Sequence, residues 1–577
     1  MSLVGNVLSR AGLYQPLKRK IRYLTDAQHR LREKEVKEDL ERTRREIGSW
    51  ASAPIEQADP NRLFGIISFT NLPLHAKFQS LVAKAMQLRG YTPIVFTFTG
   101  CRFAHQYFRL FGIDRLVMWN EYVEQAGIDP SEVKAAVDSA LPSELTPGHI
   151  KASTYRGVEI GKHALSMTCR KRVEGRLDLD DPATFKMLYN FMEQGVRSVI
   201  AAERFCEQNP LAKLLVRDSG YIPNGGIYET ALTQGVDCMV YEQGQRRHTW
   251  ILKRFTPESK SQHYFSLAPA TWDQVQKIPW TQELDSTLES EFAGRYKPDS
   301  TDDTRRLQSG KKLKSPNEVR SQLELDPARK TAVIFSHLAW DAAFFSGGCI
   351  FDDFEDWLFQ TVKFVANECP QMNWIVKVHP FNVFKLQRES VSETSEMRLL
   401  SPLMPLPRHV KILPADTDIN TQSLFPIVDY VLTVTGTVGM EFPCYGVPAV
   451  VAGHGRYDRR GFTIDTTTRE EYFSILKSLH TTEHQGEQVR DLARKHFLAL
   501  MRGRQISLQD IAPMELKRLH EAQSNIHDNI TIKPRSLSEF QQSASMKRLG
   551  DWMAYSHEAD ILEALPHLSG VGHSQAT

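Results

Sequence analysis

YVLTVTGTVGMEFPCYGVPAVV, residues 430–451, predicts the fold of the second half of this chain. The stretch opens with an apolar, β-branched run typical of a buried strand and closes with a second such run. Between the two runs lie a small polar turn, Thr435-Gly436-Thr437, and a short helical segment. Free backbone N–H groups and the positive end of a helix dipole attract anions at such a turn. The stretch therefore predicts a parallel α/β sheet with a phosphate site after one strand.

A second polar group follows another predicted strand about fifty residues upstream. The sequence WIVKVHP, residues 374–380, places Lys377 and His379 at the end of this strand and on the same face, because strand side chains alternate. Ligands of open α/β sheets bind at these strand ends. Pro380 fixes the backbone after His379, which favours a phosphate contact over a role as a core histidine. Together the two elements predict a nucleotide monophosphate or diphosphate ligand.

These residues resemble two known signatures. Glu441, with Gly446 and Pro448 after it, resembles the donor-site signature of GT-B glycosyltransferases. The Lys-x-His-Pro element resembles the HP motif of bacterial sialyltransferases and of Kdo transferases in the capsule polysaccharide biosynthesis family. The resemblance covers about residues 330–475. It implies that Glu441 holds the donor ribose and that His379 contacts the nucleotide phosphate. The alternative for Glu441 is a first-turn residue that complements the helix dipole.

The resemblance implies a nucleotide-sugar donor as co-substrate, with a CMP-linked donor among the alternatives. Pro443 interrupts the short helix, and Thr435 and Thr437 stand where the family often shows serines, so the nucleotide stays open. We expect no cofactor and no metal, because no Asp-x-Asp pair lies at a predicted strand end. The seven cysteines lack CxxC and Cys/His ligand spacing, which indicates a reduced, cytoplasmic protein without structural zinc.

Composition and length are typical of a large globular enzyme. The 577 residues are 41% hydrophobic and 24% charged, which fits two to four domains. The net charge of +2 argues against a general nucleic-acid binder. We predict four regions: residues 1–58 with amphipathic and charged helices, an acceptor-side domain over 59–320, a nucleotide-sugar domain over 325–500, and C-terminal helices with a tail over 501–577.

The N-terminal 24 residues combine apolar and basic positions at helical spacing. Such a pattern lies on anionic membrane surfaces, so we predict peripheral contact with the inner face of the membrane. The alternative is a helix packed on the protein itself or used in dimerisation. Residues 26–47 are densely charged with Glu and Lys/Arg at i,i+4 spacing, which predicts a solvent-exposed helix. Residues 296–328 are also polar and predict an exposed interdomain linker.

The first domain carries the predicted catalytic residues. Strand, helix and strand alternate from residue 62 onward, which predicts a parallel, doubly wound sheet. Asp218 follows a predicted strand on a glycine-rich turn, where a general base has access to an acceptor hydroxyl. The sequence there also resembles the Asp-Gly-Phe element of capsule Kdo transferases, with Ser219 inserted. The alternative for Asp218 is an Asx-turn or helix-cap role. Glu229, on the next helix, is the alternative acid/base.

Two further residues complete the predicted substrate site. His337 ends the first predicted strand of the second domain, and we expect it to line the interdomain cleft; the alternative is a purely structural role. Arg456 lies in the loop after the last strand, and we expect this loop to close on the donor.

The sequence therefore predicts two Rossmann-like, GT-B-like domains with an N-terminal helical extension. The predicted function is transfer of a sugar, such as Kdo or a related sugar acid, from a nucleotide sugar to a surface polysaccharide or glycolipid. Two alternatives stay open. One is a nucleotide-sugar 2-epimerase or polyol-phosphate transferase on the same scaffold, and the other is a non-catalytic capsule assembly or export protein.

Overall fold

The computed structural model describes residues 27–298, 300–341, 344–382, 393–483, 486–516 and 528–563. The segment predicted to contact the membrane, residues 1–24, lies outside the described residues. Within these ranges, no helix combines the length and the apolar character that crossing a bilayer requires.

A seven-stranded sheet forms the first domain. Its first six strands are β1 (Asp59–Ile67), β2 (Tyr91–Thr97), β3 (Leu116–Met118), β4 (Leu211–Val216), β5 (Asp237–Gln243) and β6 (Thr249–Phe255). The order is β3-β2-β1-β4-β5-β6, and the strands from β3 to β5 are parallel. The helices of this domain are Pro73–Gln87, Arg102–Leu110, Trp119–Gln125, Pro130–Ala140, Pro147–Ile150, Ile160–Arg172, Pro182–Gln208 and Asn224–Thr233.

The second domain contains a six-stranded sheet that is entirely parallel. The strands of this domain are β7 (Thr331–Phe335), β8 (Gly348–Cys349), β9 (Asn373–Lys377), β10 (Val410–Leu413), β11 (Tyr430–Thr433), β12 (Ala449–Val451), β13 (Gly453–His454) and β14 (Ile464–Asp465). The sheet order is β10-β9-β7-β11-β12-β14, while β8 and β13 pair separately. The main helices are Pro316–Gln322, Phe354–Glu368, Ser395–Leu400, Val438–Glu441 and Arg469–Ser478, with 3-10 segments at Ser401–Leu403, Thr421–Ile427 and Phe442–Tyr445.

Both sheets are covered on two faces, as parallel sheets require. Consecutive residues of one strand enter different cores: Ile66 and Ile67 in the first domain, and Val333 and Ile334 in the second. The order of the second sheet is that of the doubly wound nucleotide-binding fold, with the reversal between β7 and β11. The predicted class of two Rossmann-like domains with a helical extension is confirmed. The reversal point is where such folds bind ligands.

The predicted linker over residues 296–328 is only partly exposed. Helices Pro269–Val275 and Gln282–Tyr296 lead into it. Within it, Asp303, Gln308 and Lys311 are all more than nine-tenths buried. The Lys311 Nζ donates to the Thr417 carbonyl, and Gln308 exchanges hydrogen bonds with Thr421. We expected the polar residues of this segment to be solvated, whereas Gln308 and Lys311 form hydrogen bonds with other parts of the protein.

The charged N-terminal helix also departs from its prediction. It spans Ala27–Ile47, but it packs on the first domain through buried Val36, Leu40 and Ile47. A buried carboxylate, Asp39, lies 2.8 Å from the Lys77 Nζ. The three apolar side chains and this ion pair form one docking face, which the surrounding charges concealed in the sequence.

The C-terminal part of the chain returns to the first domain. Helix Glu487–Leu498 and the π-helical turn Ala499–Gly503 lead to β15 (Ile506–Ser507), which pairs antiparallel with β6. A ribbon of β16 (Met514–Leu516) and β17 (Asp528–Ile530) follows, then helices Leu537–Gln542 and Ala544–Tyr555. Asp560 follows the last of these helices and is fully buried. Its carboxylate lies 3.1 Å from the Lys253 Nζ and 3.3 Å from Arg504.

Candidate functional site

A cavity of about 320 Å³ lies where β7, β9 and β11 end, and the first domain forms its opposite wall. All eight residues predicted to bind substrate line this cavity: His337, Lys377, His379, Thr435, Gly436, Thr437, Glu441 and Arg456. The first domain and the connecting segment also contribute His263, Arg295, Tyr296 and Arg305. The structure therefore brings the predicted donor-side residues together at the point where the strand order reverses.

Lys377 is a buried cation for which the described residues supply no partner. It is 2% exposed at the end of β9, and its Nζ makes no hydrogen bond or ion pair with any residue in the described ranges. Burial, assisted by the nearby charge of Lys311, lowers the pKa of Lys377 to about 7. Burying an ammonium group is costly unless an anion compensates it. This side chain therefore marks a place for a negatively charged ligand.

His379 is held as a neutral hydrogen-bond donor. Its Nδ1 accepts from the Phe381 amide at 3.2 Å, which leaves the ring proton on Nε2. Burial, together with nearby positive charge, lowers the pKa of His379 to about 3. The His379 amide donates to the Ser336 hydroxyl at 2.9 Å, and that hydroxyl donates to Glu396 at 3.0 Å. Ser336 and Glu396 thus fix the backbone from which the imidazole projects.

His337 is fixed in the opposite tautomer. Its Nε2 accepts from the Val434 amide at 3.1 Å and lies 3.1 Å from the Thr433 hydroxyl, so the neutral ring carries its proton on Nδ1. The ring stacks on Phe354 at 4.6 Å. Burial, with a smaller contribution from Arg456, lowers the pKa of His337 to about 3. His337 thus lines the cavity, and its ring is also hydrogen-bonded at the end of β11.

The polar turn differs from the simple anion site that its sequence predicts. The Gly436 amide donates to the Thr433 hydroxyl at 3.0 Å, so this N–H group is already satisfied. The helix that follows has only four residues, Val438–Glu441, and a short helix has a weak dipole. Arg456 donates to the Thr435 carbonyl and thereby brings a guanidinium to the turn. Side chains, more than the helix terminus, supply positive potential here.

Glu441 is buried and already has two protein partners. Its carboxylate accepts from Arg295 and from the Tyr296 hydroxyl. Burial opposes ionisation, but the Arg295 guanidinium holds the pKa of Glu441 below its ordinary value. Arg295 also donates to the Thr437 hydroxyl at 3.0 Å. A carboxylate offers about four acceptor positions, so this arrangement leaves room for a ligand hydroxyl while it fixes the side chain.

Asp218 does not line the cavity that holds Lys377 and His379. It follows β4 with a left-handed backbone, φ 55°, and its carboxylate lies 3.1 Å from Arg217. Gly220 belongs to the glycine-rich turn that was predicted to give an acceptor hydroxyl access, but the Phe345 ring occupies that space. A β-carbon on Gly220 would lie 1.8 Å from this ring. The second domain therefore covers the turn on which Asp218 lies.

Glu229 is engaged in a buried ion-pair cluster beside a small cavity. Its oxygens lie 2.8 Å from the His163 Nε2 and 2.6 Å from the Lys260 Nζ. Burial favours the neutral acid, but these two neighbours lower the pKa of Glu229 to about 2. A carboxylate with so low a pKa is a weak general base at neutral pH. The geometry therefore argues against the alternative acid/base role of Glu229.

Several cavity residues were missed in the sequence. Arg295, Tyr296 and Arg305 lie in or beside the segment interpreted as a linker, and His263 lies in a loop of the first domain. One signal was present for His263: His263-Tyr-Phe265 shares its spacing with His379-Pro-Phe381. In both, the histidine Nδ1 accepts from the phenylalanine amide two residues later.

Three solved structures match this chain at low identity and with low TM-scores. KpsC from Thermosulfurimonas dismutans, a β-Kdo 2,4 transferase, has 16% identity over 49% of this chain and 79% of that chain, with a TM-score of 0.29. Anabaena HepE in complex with UDP-glucose has 11% identity over 76% and 94%, with a TM-score of 0.26. UDP-GlcNAc 2-epimerase from Methanocaldococcus jannaschii has 13% identity over 76% and 99%, with a TM-score of 0.24. At these scores the likeness carries no functional argument.

The family comparison is more direct. No curated protein matches the sequence significantly. Residues 304–488 match the family model described as "Capsule polysaccharide biosynthesis protein". This range contains all eight predicted substrate-binding residues, so the resemblance first seen in the HP motif is confirmed there. Residues 304–488 of this chain are therefore similar to the capsule polysaccharide biosynthesis family.

Proposed function

We propose that this protein is a glycosyltransferase that takes a sugar from a nucleotide-sugar donor and adds it to a capsular polysaccharide or glycolipid acceptor. The single observation that carries the proposal is the buried ammonium of Lys377, which has no partner among the described residues, in the cavity at the strand-order reversal. An anionic phosphate supplies the missing partner. The family model that residues 304–488 match supports a role in capsule synthesis.

In the proposed mechanism, the cavity stabilises the departing nucleotide phosphate. The Lys377 ammonium, the His379 Nε2–H and the His337 Nδ1–H are prepositioned donors. Fixed donors in a site that excludes water stabilise developing negative charge without reorganising, and each is worth several kcal/mol at most. Glu441, already fixed by Arg295 and Tyr296, uses its remaining acceptor positions for the donor ribose.

Arg456 is proposed to contact the sugar, and Asp218 is proposed to act as the general base. Arg456 has one hydrogen bond to the Thr435 carbonyl and leaves further N–H donors at the cavity, which suits the carboxylate of a sugar acid such as Kdo. Asp218 is the proposed base: it does not line the cavity in this arrangement, but its carboxylate is about one-third exposed, whereas Glu229 is enclosed. CMP stays among the candidate nucleotides. The proposed reaction uses neither a metal ion nor a cofactor.

A nucleotide screen tests the donor side of this proposal. CMP, UDP, GDP and CDP are compared by thermal shift, and each stabilising nucleotide is then titrated by calorimetry into wild type and Lys377→Met. We expect at least one nucleotide to bind wild type and to bind the variant at least tenfold more weakly. Absence of binding for all four would contradict the proposal. Binding without turnover of any nucleotide sugar would favour an assembly protein, and epimerisation without transfer would favour a 2-epimerase.

A further inference from the structure

Three histidines line the donor cavity, and a backbone amide holds each in one tautomer. The His263 Nδ1 accepts from the Phe265 amide at 2.9 Å, and the His379 Nδ1 accepts from the Phe381 amide at 3.2 Å. His337 accepts through Nε2 at 3.1 Å. A neutral imidazole that accepts through one nitrogen carries its proton on the other. Each ring is therefore a fixed N–H donor.

The other ring nitrogen of His263, Nε2, carries the proton that this ring can donate. No residue in the described ranges accepts from its Nε2, and the residue lines the cavity and is partly exposed there. The ring stacks on Tyr264 at 4.6 Å, which holds its plane. Burial, with a smaller contribution from Arg456, lowers the pKa of His263 well below its ordinary value, so the ring is neutral at physiological pH.

His263 belongs to the first domain, on the opposite wall from His379. Its backbone amide donates to the Gly455 carbonyl of the second domain at 2.8 Å. Gly455 has φ 93°, and a β-carbon there would lie 3.2 Å from the Ser261 carbonyl, so the two backbones are closely apposed. The next residue, Arg456, also lines the cavity. His263 thus enters the cavity at the seam between the domains.

We propose that His263 is a ligand-contacting residue that donates its Nε2–H to an anionic group of the nucleotide-sugar donor from the first-domain wall. This inference rests on the proposed function and deepens it, because it assigns part of donor recognition to the acceptor-side domain. The nucleotide sugar is then held between the uncharged N–H group of His263 on one wall and Lys377, His337 and His379 on the other. Donor binding consequently favours the closed arrangement of the two domains.

Three substitutions separate this role from a structural one. His263→Asn keeps an acceptor near Nδ1 for the Phe265 amide but loses the donor at Nε2. His263→Gln places an amide N–H near Nε2, and His263→Ala removes both groups. The matched control is His248→Ala, because the His248 Nδ1 accepts from the Met514 amide at 2.8 Å but does not line the cavity. Calorimetry uses whichever of CMP, UDP, GDP and CDP binds wild type.

We expect nucleotide affinity to fall about 10- to 100-fold in His263→Ala and His263→Asn, and to recover largely in His263→Gln. His248→Ala should lower thermal stability but leave affinity within about twofold of wild type. Equal affinity of wild type and His263→Asn would overturn the inference. If no nucleotide binds wild type, the proposed function itself fails, so the two failures are distinguishable. If His263→Ala does not fold, the Asn and Gln variants decide the matter.

Discussion

Replacing Lys377 by methionine should make the empty protein more stable and the nucleotide complex weaker. The ammonium is 2% exposed and has no anionic partner among the described residues. Its pKa falls from 10.5 in the unfolded chain to about 7. Below pH 10 the unfolded state therefore binds a proton more readily than the folded state, which lowers stability. At about 1.4 kcal/mol per tenfold change in proton affinity, the cost at pH 7 is at most about 5 kcal/mol.

Methionine removes this cost and fills a similar volume. We expect Lys377→Met to raise the melting temperature of the ligand-free protein by several degrees, which is the usual effect of a few kcal/mol in a protein of this size. Nucleotide affinity should fall about 10- to 100-fold, because a charge-assisted hydrogen bond to phosphate is lost. The assays are thermal unfolding without nucleotide and calorimetric titration with the tightest-binding nucleotide.

A matched control is available in the same region. Lys311 is also more than nine-tenths buried, but its Nζ donates to the Thr417 carbonyl at 3.1 Å and it does not line the cavity. Lys311→Met should lower the melting temperature and leave nucleotide affinity within about threefold. The reasoning is refuted if Lys377→Met destabilises the empty protein to the same degree, or if it binds nucleotide as wild type does.

Four other perturbations have defined outcomes. A bound phosphate raises the pKa of Lys377 above 7, so wild-type nucleotide affinity should decline by up to tenfold per pH unit above pH 7 and level off below it; calorimetry between pH 6 and 9 checks this. His379→Ala should weaken nucleotide binding by about 1–3 kcal/mol at every pH from 5 to 8, because its imidazole stays neutral, and an unchanged Kd would exclude the contact. Asp218→Asn should lower turnover about 10²- to 10⁴-fold at little cost in donor affinity, whereas Glu229→Gln should chiefly lower the melting temperature; near-wild-type turnover of the first variant removes the base assignment. Asp560→Asn leaves two buried cations uncompensated and should destabilise the fold by about 3–5 kcal/mol in urea unfolding, and an unchanged midpoint would contradict that.

The second domain was predictable because its strands are short apolar runs with clear ends. Strand Thr331–Phe335 ends where the sequence changes from apolar Phe335 to polar Ser336, and strand Ala449–Val451 begins directly after the helix-breaking Gly446 and Pro448. Parallel strands place their carboxyl ends along one edge, so Lys377 and His379 were expected near the turn that follows β11. That rule alone groups the eight donor-side residues in one cavity.

Contacts between segments that are distant in the sequence could not be predicted. Glu441 acquires Arg295 and Tyr296, which are about 145 residues away, and no local pattern marks that pairing. The segment around Arg305 has a linker composition, but some of its polar side chains, such as Asp303 and Gln308, find protein partners and are buried. Asp218 does not line the cavity, and Phe345 from the other domain covers the neighbouring Gly220. Domain apposition is a long-range property, and a single sequence carries little information about it.

The conformation of the histidines also lies beyond sequence patterns. A histidine at a strand end was predicted to contact phosphate, but its tautomer depends on which ring nitrogen meets a backbone amide. The His379 Nδ1 accepts from an amide two residues ahead, while the His337 Nε2 accepts from another strand. The arrangement of His379 is local and recurs at His263, so the histidine-to-phenylalanine spacing in the sequence could have predicted it. The arrangement of His337 depends on the pairing of β7 with β11.

Sugar transfer itself is the most direct test of the central claim. Oligosaccharides prepared from the capsule of the source organism are incubated with the nucleotide sugars of each nucleotide that binds, and the products are weighed by mass spectrometry. The account predicts a mass increase of one sugar residue with wild type, at least a tenfold slower reaction with Lys377→Met, and release of one nucleotide per sugar added. Tight nucleotide binding with no mass increase for any donor and acceptor pair would contradict it.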